Sequence, residues 1–184
     1  MSIKQHFFSR GRLGVALSFS LLMPIVAQAQ QSVSGLINER LTLMRDVAAW
    51  KAVHHSSVEN LQQEERVLNS TLDEAASLGL EPNSVRAFVQ AQMDVAKAIQ
   101  YRYRAEWLSQ PENMTQQQPL DAIRKQIAAL SSNILRQLAD DLRRDPTVGG
   151  KACTSIKNIS LKYLTEADKE LICKALAQVR LKAE

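Results

Sequence analysis

The sequence predicts an all-α fold: a single-domain helical bundle of about six helices, once a leading segment is set aside. Three observations carry that reading. Apolar residues recur at intervals of three and four along most of the chain, which is the spacing of one helical face. Glycine is scarce, with six in 184 residues, and aromatic residues make up 5%. The chain therefore lacks the turn density and the alternating β-branched and aromatic runs of a sheet protein. The polar breaks between apolar stretches are short, so neighbouring helices pack against one another, and the length suits one domain.

Residues 1–29 are excluded from the fold. MSIKQHFFSRGR carries Lys4, Arg10 and Arg12 and no acid. LGVALSFSLLMPIVA follows as an apolar run, and AQA closes the segment with small residues at a cleavage site. This is the three-part pattern of a secretory signal peptide, cut after Ala29 to leave a chain starting at Gln30. The alternative is an uncleaved anchor, but the run falls short of the roughly 20 apolar residues a membrane-spanning helix needs. Cleavage predicts a periplasmic or secreted protein with no membrane segment left. It also changes the charge. The whole chain has 23 Lys and Arg against 19 Asp and Glu, a net +4. Without Lys4, Arg10 and Arg12 the balance is 20 against 19, a net +1. No concentrated basic surface of the kind nucleic-acid binding requires is left.

The first helix is expected over about 32–53, on Leu36, Ile37, Leu41, Leu43, Met44, Val47, Ala48 and Trp50, and it stops at HHSS. The second, about 59–78, turns Leu61, Val67, Leu68 and Leu72 inward. GLEPNS ends it and opens the next: Gly79 suits a C-terminal cap, and Asn83 or Ser84 an N-terminal one. The third helix covers about 84–108, and the polar loop SQPENMTQQQ follows. Pro119 suits the first turn of a fourth helix running to Arg144. DPTVGG is a turn, and a short helix follows near 152–159. TEAD, Thr165 to Asp168, resembles a capping box that opens a last helix to about Lys182. Cys153 and Cys173 lie in the exported part. An even cysteine count in an oxidising compartment points to a disulfide, against the alternative of two buried thiols. With no histidine close in sequence they make a poor zinc site.

NERLTLMRDVAAWK raises the functional question. Arg40 and Lys51 are eleven residues apart. At about 100° per residue they return to within roughly 20° of one direction, about 16 Å apart along the axis. Met44 and Val47 lie between them on that face. The face reads cation, apolar, apolar, cation, which suits a small, rigid dianion lying across the middle. The simpler reading is two long side chains snorkelling from the edge of an apolar stripe to water.

The wider pattern favours the dianion. NERLTLMRDVAAWK, followed by VENLQQEERVL and GLEPNSVRAFVQAQMDVAKAIQYRYRAEW, resembles the all-helical chorismate mutase family. It is most similar to the secreted, periplasmic gamma subclass, whose members carry a signal peptide and a C-terminal extension. The resemblance is dense over Leu36–Trp107 and looser beyond. It implies the Claisen rearrangement of chorismate to prephenate, which uses no cofactor, no metal and no covalent intermediate. Positioning and preorganised electrostatics are then the means of catalysis.

By that resemblance, Arg40 grips a substrate carboxylate, for which its planar fork is suited. Lys51 contacts a carboxylate and the breaking ether oxygen. Gln100 donates to the same oxygen, and as an amide it does so without taking up a proton. Glu64 accepts from the substrate hydroxyl. Five further positions fall in the family's binding set with altered chemistry. Asn60 stands where Asp is common, and Gln63 where some members have Arg. Val67 replaces Gln, and Ala96 replaces Ser or Thr. Asn133 stands where the fourth helix supplies a cation to the second carboxylate, with Arg136 one turn away as a substitute. The gamma subclass builds each site within one chain, and a homodimer is compatible with that. The competing function is a non-catalytic periplasmic helical protein that binds a small anion or a protein partner with the same face.

Overall fold

The apolar repeat that begins at Val33 folds as expected into helix, but in two pieces. In the computed structural model, which describes residues 31–112 and 118–183, α1 is Val33–Thr42 and α2 is Met44–Val53. A one-residue break at Leu43 separates them, so the single helix expected over 32–53 is interrupted. The remaining elements are α3 (Leu61–Ser77), α4 (Pro82–Ser109), α5 (Leu120–Arg144), α6 (Val148–Lys157) and α7 (Glu166–Leu176). Among the described residues seven helical segments thus stand where about six helices were expected, and these residues form no strand beyond one isolated bridge. No described helix is long and apolar enough to cross a membrane. The leader expected over 1–29 lies outside the described residues.

The 28-residue α4 is the axis of the bundle, packing against α2, α3 and α7, while α1 lies along α5. Phe88 and Ile99 of α4, Ile37 and Leu41 of α1, and Ile134, Leu135 and Leu138 of α5 are fully buried between them. Four of the helices, α1, α3, α4 and α7, begin where a side chain meets free N–H groups. Ser32 accepts from Gly35 N–H at the head of α1, and Asn60 from Gln63 N–H at the head of α3. The cap of α4 is Glu81, whose carboxylate accepts from the N–H groups of Asn83 and Ser84, with Pro82 in the first turn. That moves the start of this helix two residues ahead of the expected Asn83 or Ser84 cap. At α7 the expected capping box forms between Thr165 and Asp168. Asp168 also pairs with Arg102 of α4, which joins the C-terminal helix to the axis.

Three expectations are corrected. Leu61 does not face inward: it sits in the first turn of α3 and is 73% exposed. The last helix ends at Leu176 rather than near Lys182. Beyond it the chain pairs with the α3–α4 turn: Glu81 N–H donates to Arg180 O and Lys182 N–H to Gly79 O, both at 2.9 Å. Those bonds satisfy backbone groups that a longer helix would leave unpaired. The disulfide is not formed. Cys153 in α6 and Cys173 in α7 are both free thiols, and Cys173 Sγ donates to the Cys153 carbonyl oxygen at 3.7 Å. Burial pushes the Cys173 thiol up to about 12, well above the ordinary cysteine value. The two helices are held together instead by close packing at Gly149, where a Cβ would meet Leu176 O at 3.0 Å.

Gly79, past the end of α3, has φ of +80° and gives the chain its turn into Leu80. Gly79→Ala should destabilise the protein by about 1 kcal/mol, the usual cost of a Cβ in the left-handed region. A shifted urea midpoint with unchanged helical circular dichroism is the expected result.

Candidate active site

A cavity of about 140 Å³ opens between the helices. The α1–α2 wall contributes Arg40, Met44, Val47 and Lys51. Val58 and Asn60 come from the following loop, and Gln63, Glu64 and Val67 from α3. Met93, Ala96, Lys97 and Gln100 line it from α4, and Leu120, Arg124 and Ile127 from α5. The break at Leu43 does not separate the two cations from the shared face. Its floor is apolar, so the few polar groups act in a partly desolvated space.

Arg40 and Lys51 are 7% and 8% exposed, and neither has a carboxylate partner among the described residues. Arg40 is held by neutral acceptors, with Nε donating to Ser131 Oγ at 3.2 Å and Nη1 reaching Gln92 O at 3.5 Å. Burial lowers its pKa to about 10, so the guanidinium stays charged at neutral pH. Lys51 Nζ donates to the Val58 carbonyl oxygen. Its pKa is lowered first by burial and then by the nearby Arg124, with Glu64 acting in the opposite direction. Cations so placed are costly unless something anionic joins them.

Gln100 is 5% exposed. Its amide donates to Ala96 O at 3.1 Å and faces the weak acceptor Met44 Sδ at 3.7 Å, while its oxygen is buried without a partner. Glu64 is fixed through both oxygens: Asn60 N–H donates to one at 3.1 Å and Lys97 Nζ to the other at 3.0 Å. The Asn60 side chain is occupied in capping α3, and Gln63 accepts from Arg66. Val67 and Ala96 add apolar surface.

Asn133 does not reach the cavity, and this corrects its expected position. It is exposed and accepts from Arg136, which itself lies near Glu74. The cation that α5 does contribute is Arg124, nine residues earlier. Nine residues at about 100° each amount to two and a half turns, so Asn133 and Arg124 point to opposite sides of the helix. Arg124 and Lys97 were both missed in the sequence. The signal for Arg124 was present: it sits between Leu120 and Ile127 on an apolar stripe, as Arg40 and Lys51 do. Lys97 lies one turn from Gln100 but resembles any solvated helix lysine.

Comparison with known proteins gives a consistent picture. Residues 28–101 match the family model for chorismate mutase type II. The chain is 46% identical over 173 residues to the secreted chorismate mutase of Yersinia pestis, covering 94% of this chain and 93% of that protein. It is 36% identical over 149 residues to the monofunctional chorismate mutase of Enterobacter agglomerans, covering 81% and 82%. The crystal structure of the Yersinia pestis protein superposes with a TM-score of 0.77 at 47% identity, over 84% of this chain and 100% of that one.

The lowered pKa of Lys51 has a sign that can be measured. Between its folded value and the unfolded 10.5, the unfolded chain holds more protons, so stability contributed at this site rises with pH. Relative to Lys51→Met, the unmodified protein should therefore gain urea resistance from neutral pH toward alkaline pH. A constant difference between the two would contradict the assigned environment.

Proposed function

The chain belongs to the chorismate mutase family, and we propose that the cavity between α1–α2, α3, α4 and α5 is where it converts chorismate to prephenate. The observation that carries this reading is the pair of buried cations, Arg40 and Lys51, without carboxylate partners on either side of an apolar floor. Chorismate is a dianion, and its binding supplies the missing counter-charge. In the rearrangement one C–O bond breaks as one C–C bond forms within a single molecule. No atom or electron passes to the protein. What the protein can contribute is geometry and stabilisation of negative charge growing on the ether oxygen.

The roles follow from the chemistry of each group. The Arg40 fork binds one carboxylate. Arg124, with 39% of its side chain exposed, stands at the open side as the cation for the other. Lys51 and Gln100 serve the ether oxygen together. One amide hydrogen of Gln100 already has a good acceptor in Ala96 O, and the other faces only a thioether, which an ether oxygen outcompetes. Glu64, held through both oxygens, has lone pairs left to accept from the substrate hydroxyl. We read the enzyme as exported, which the signal-peptide pattern of residues 1–29 and the secreted relative support.

Mature protein mixed with chorismate should remove its ultraviolet absorbance and form prephenate, and a rate no higher than background would sink this reading. Lys51→Ala should lower kcat by about 10²–10³-fold, the usual loss for one preorganised donor at a developing oxyanion. The pH profile separates the two donors. Gln100 does not ionise, so no loss of activity is expected between about pH 5 and 7, where a raised carboxylic acid would titrate. Lys51 must stay protonated, and its lowered pKa brings the alkaline loss of activity below 10.5. Lys51→Arg should move that alkaline limb upward, leaving the loss near 10 at which Arg40 gives up its charge.

A further inference from the structure

Glu64 is the one carboxylate among the described residues that line the cavity. A substrate with two carboxylates has to approach it. On open surface such repulsion would be screened, but the Glu64 side chain is only 21% exposed, and charges in partly buried sites are screened much less. The structure holds a counter-charge beside it. Lys97 Nζ lies 3.0 Å from Glu64 Oε2 and 3.2 Å from Asp94 Oδ1, and the Lys97 side chain is also 21% exposed. Burial works against the ammonium, yet the hydrogen bonds from Glu64 and Asp94 outweigh it and its pKa stands above the ordinary lysine value. Lys97 is therefore charged and already paired with carboxylates, whereas Arg40 and Lys51 are held by neutral acceptors.

We infer that Lys97 is a positioning residue that neutralises Glu64, so that a dianion meets no free carboxylate at the wall while Glu64 stays oriented toward the substrate hydroxyl. This rests on the cavity being the chorismate site. The Asn60 N–H and Lys97 hold one carboxylate oxygen each, which fixes the plane of the group across the gap between α3 and α4. Lys97 acts on the substrate through Glu64 and does not itself grip it. Its effect thus belongs to binding, and it depends on the charge of Glu64.

The test is a double-mutant cycle on the intact enzyme, reading KM and kcat for chorismate. Lys97→Met keeps the aliphatic stem and should raise KM about tenfold, a modest figure for one uncompensated like charge at intermediate dielectric. Its kcat should change less than KM. Lys97→Arg keeps the charge and should hold KM within about twofold. In a Glu64→Gln background, adding Lys97→Met should change KM by less than about twofold, because the two residues act as one coupled pair. Melting curves establish that each variant is folded, and Lys97→Arg keeps the question answerable if Lys97→Met is not. An equal rise in KM in both backgrounds would mean that Lys97 contacts substrate directly and would overturn the inference. So would an unchanged KM in Lys97→Met alone, or a tenfold rise in Lys97→Arg. Absence of turnover in the unmodified enzyme would instead defeat the functional reading itself.

Discussion

Holding Arg40 and Lys51 inside a helical bundle with no carboxylate paired to either among the described residues costs several kcal/mol per ion in lost hydration. The rest of the structure is arranged around that cost. Neutral acceptors stand in for the missing anion: Ser131 and Gln92 at Arg40, the Val58 carbonyl at Lys51. They keep both side chains in place without cancelling their charge. An aspartate beside either would make the protein more comfortable alone and a poorer host for a dianion. The apolar helix contacts offset this cost, from Ile37 and Leu41 through Phe88 and Ile99 to Leu138.

The long α4 carries much of this arrangement. Met93, Ala96, Lys97 and Gln100 fall at i, i+3, i+4 and i+7 and so share one face, toward the cavity. Two residues further along, on another side of the helix, Arg102 holds Asp168 and with it the cap of α7. The C-terminal residues return to the α3–α4 turn and pair with Leu80. The helix that supplies the donor to the reacting oxygen is thus braced at both ends by elements that take no part in the site. That bracing is what preorganisation requires, since a donor that must be ordered during the reaction loses most of its advantage.

Charge in the cavity is graded as well as concentrated. Arg40 and Lys51 are buried and unneutralised, Arg124 is partly exposed and meets the exposed Asp121 at 3.3 Å, and Lys97 is paired with both Glu64 and Asp94. The same residue class therefore serves different ends according to its neighbours. Burial with neutral partners holds a charge ready for substrate, exposure lets water moderate it, and pairing consumes it. Spacing places Met44 and Val47 between Arg40 and Lys51 on one face, but only the family resemblance separates that pair from two snorkelling surface cations. For Lys97 the decisive neighbour is Glu64, 33 residues away, and no periodicity reports that distance.

The sequence by itself determined the helical class, the order of the helices, the capping box at Thr165 and the shared face of Arg40 and Lys51. All of these are local: they follow from spacing within one helix or from a few residues at its end. Gln100, Glu64, Asn60, Gln63, Val67 and Ala96 were assignable to one site only through family resemblance, because they lie on separate elements. Tertiary structure alone decided the rest. The rotation of α5 put Arg124 rather than Asn133 at the cavity: Leu120 and Ile127 mark an apolar stripe around Arg124 in the sequence, but only the packing of α5 turns that stripe toward Arg40 and Lys51. It kept Cys153 and Cys173 as thiols, because how a side chain turns depends on the packing of α6 on α7. It ended the last helix at Leu176, because Leu80 offered the backbone a partner that lies about a hundred residues away.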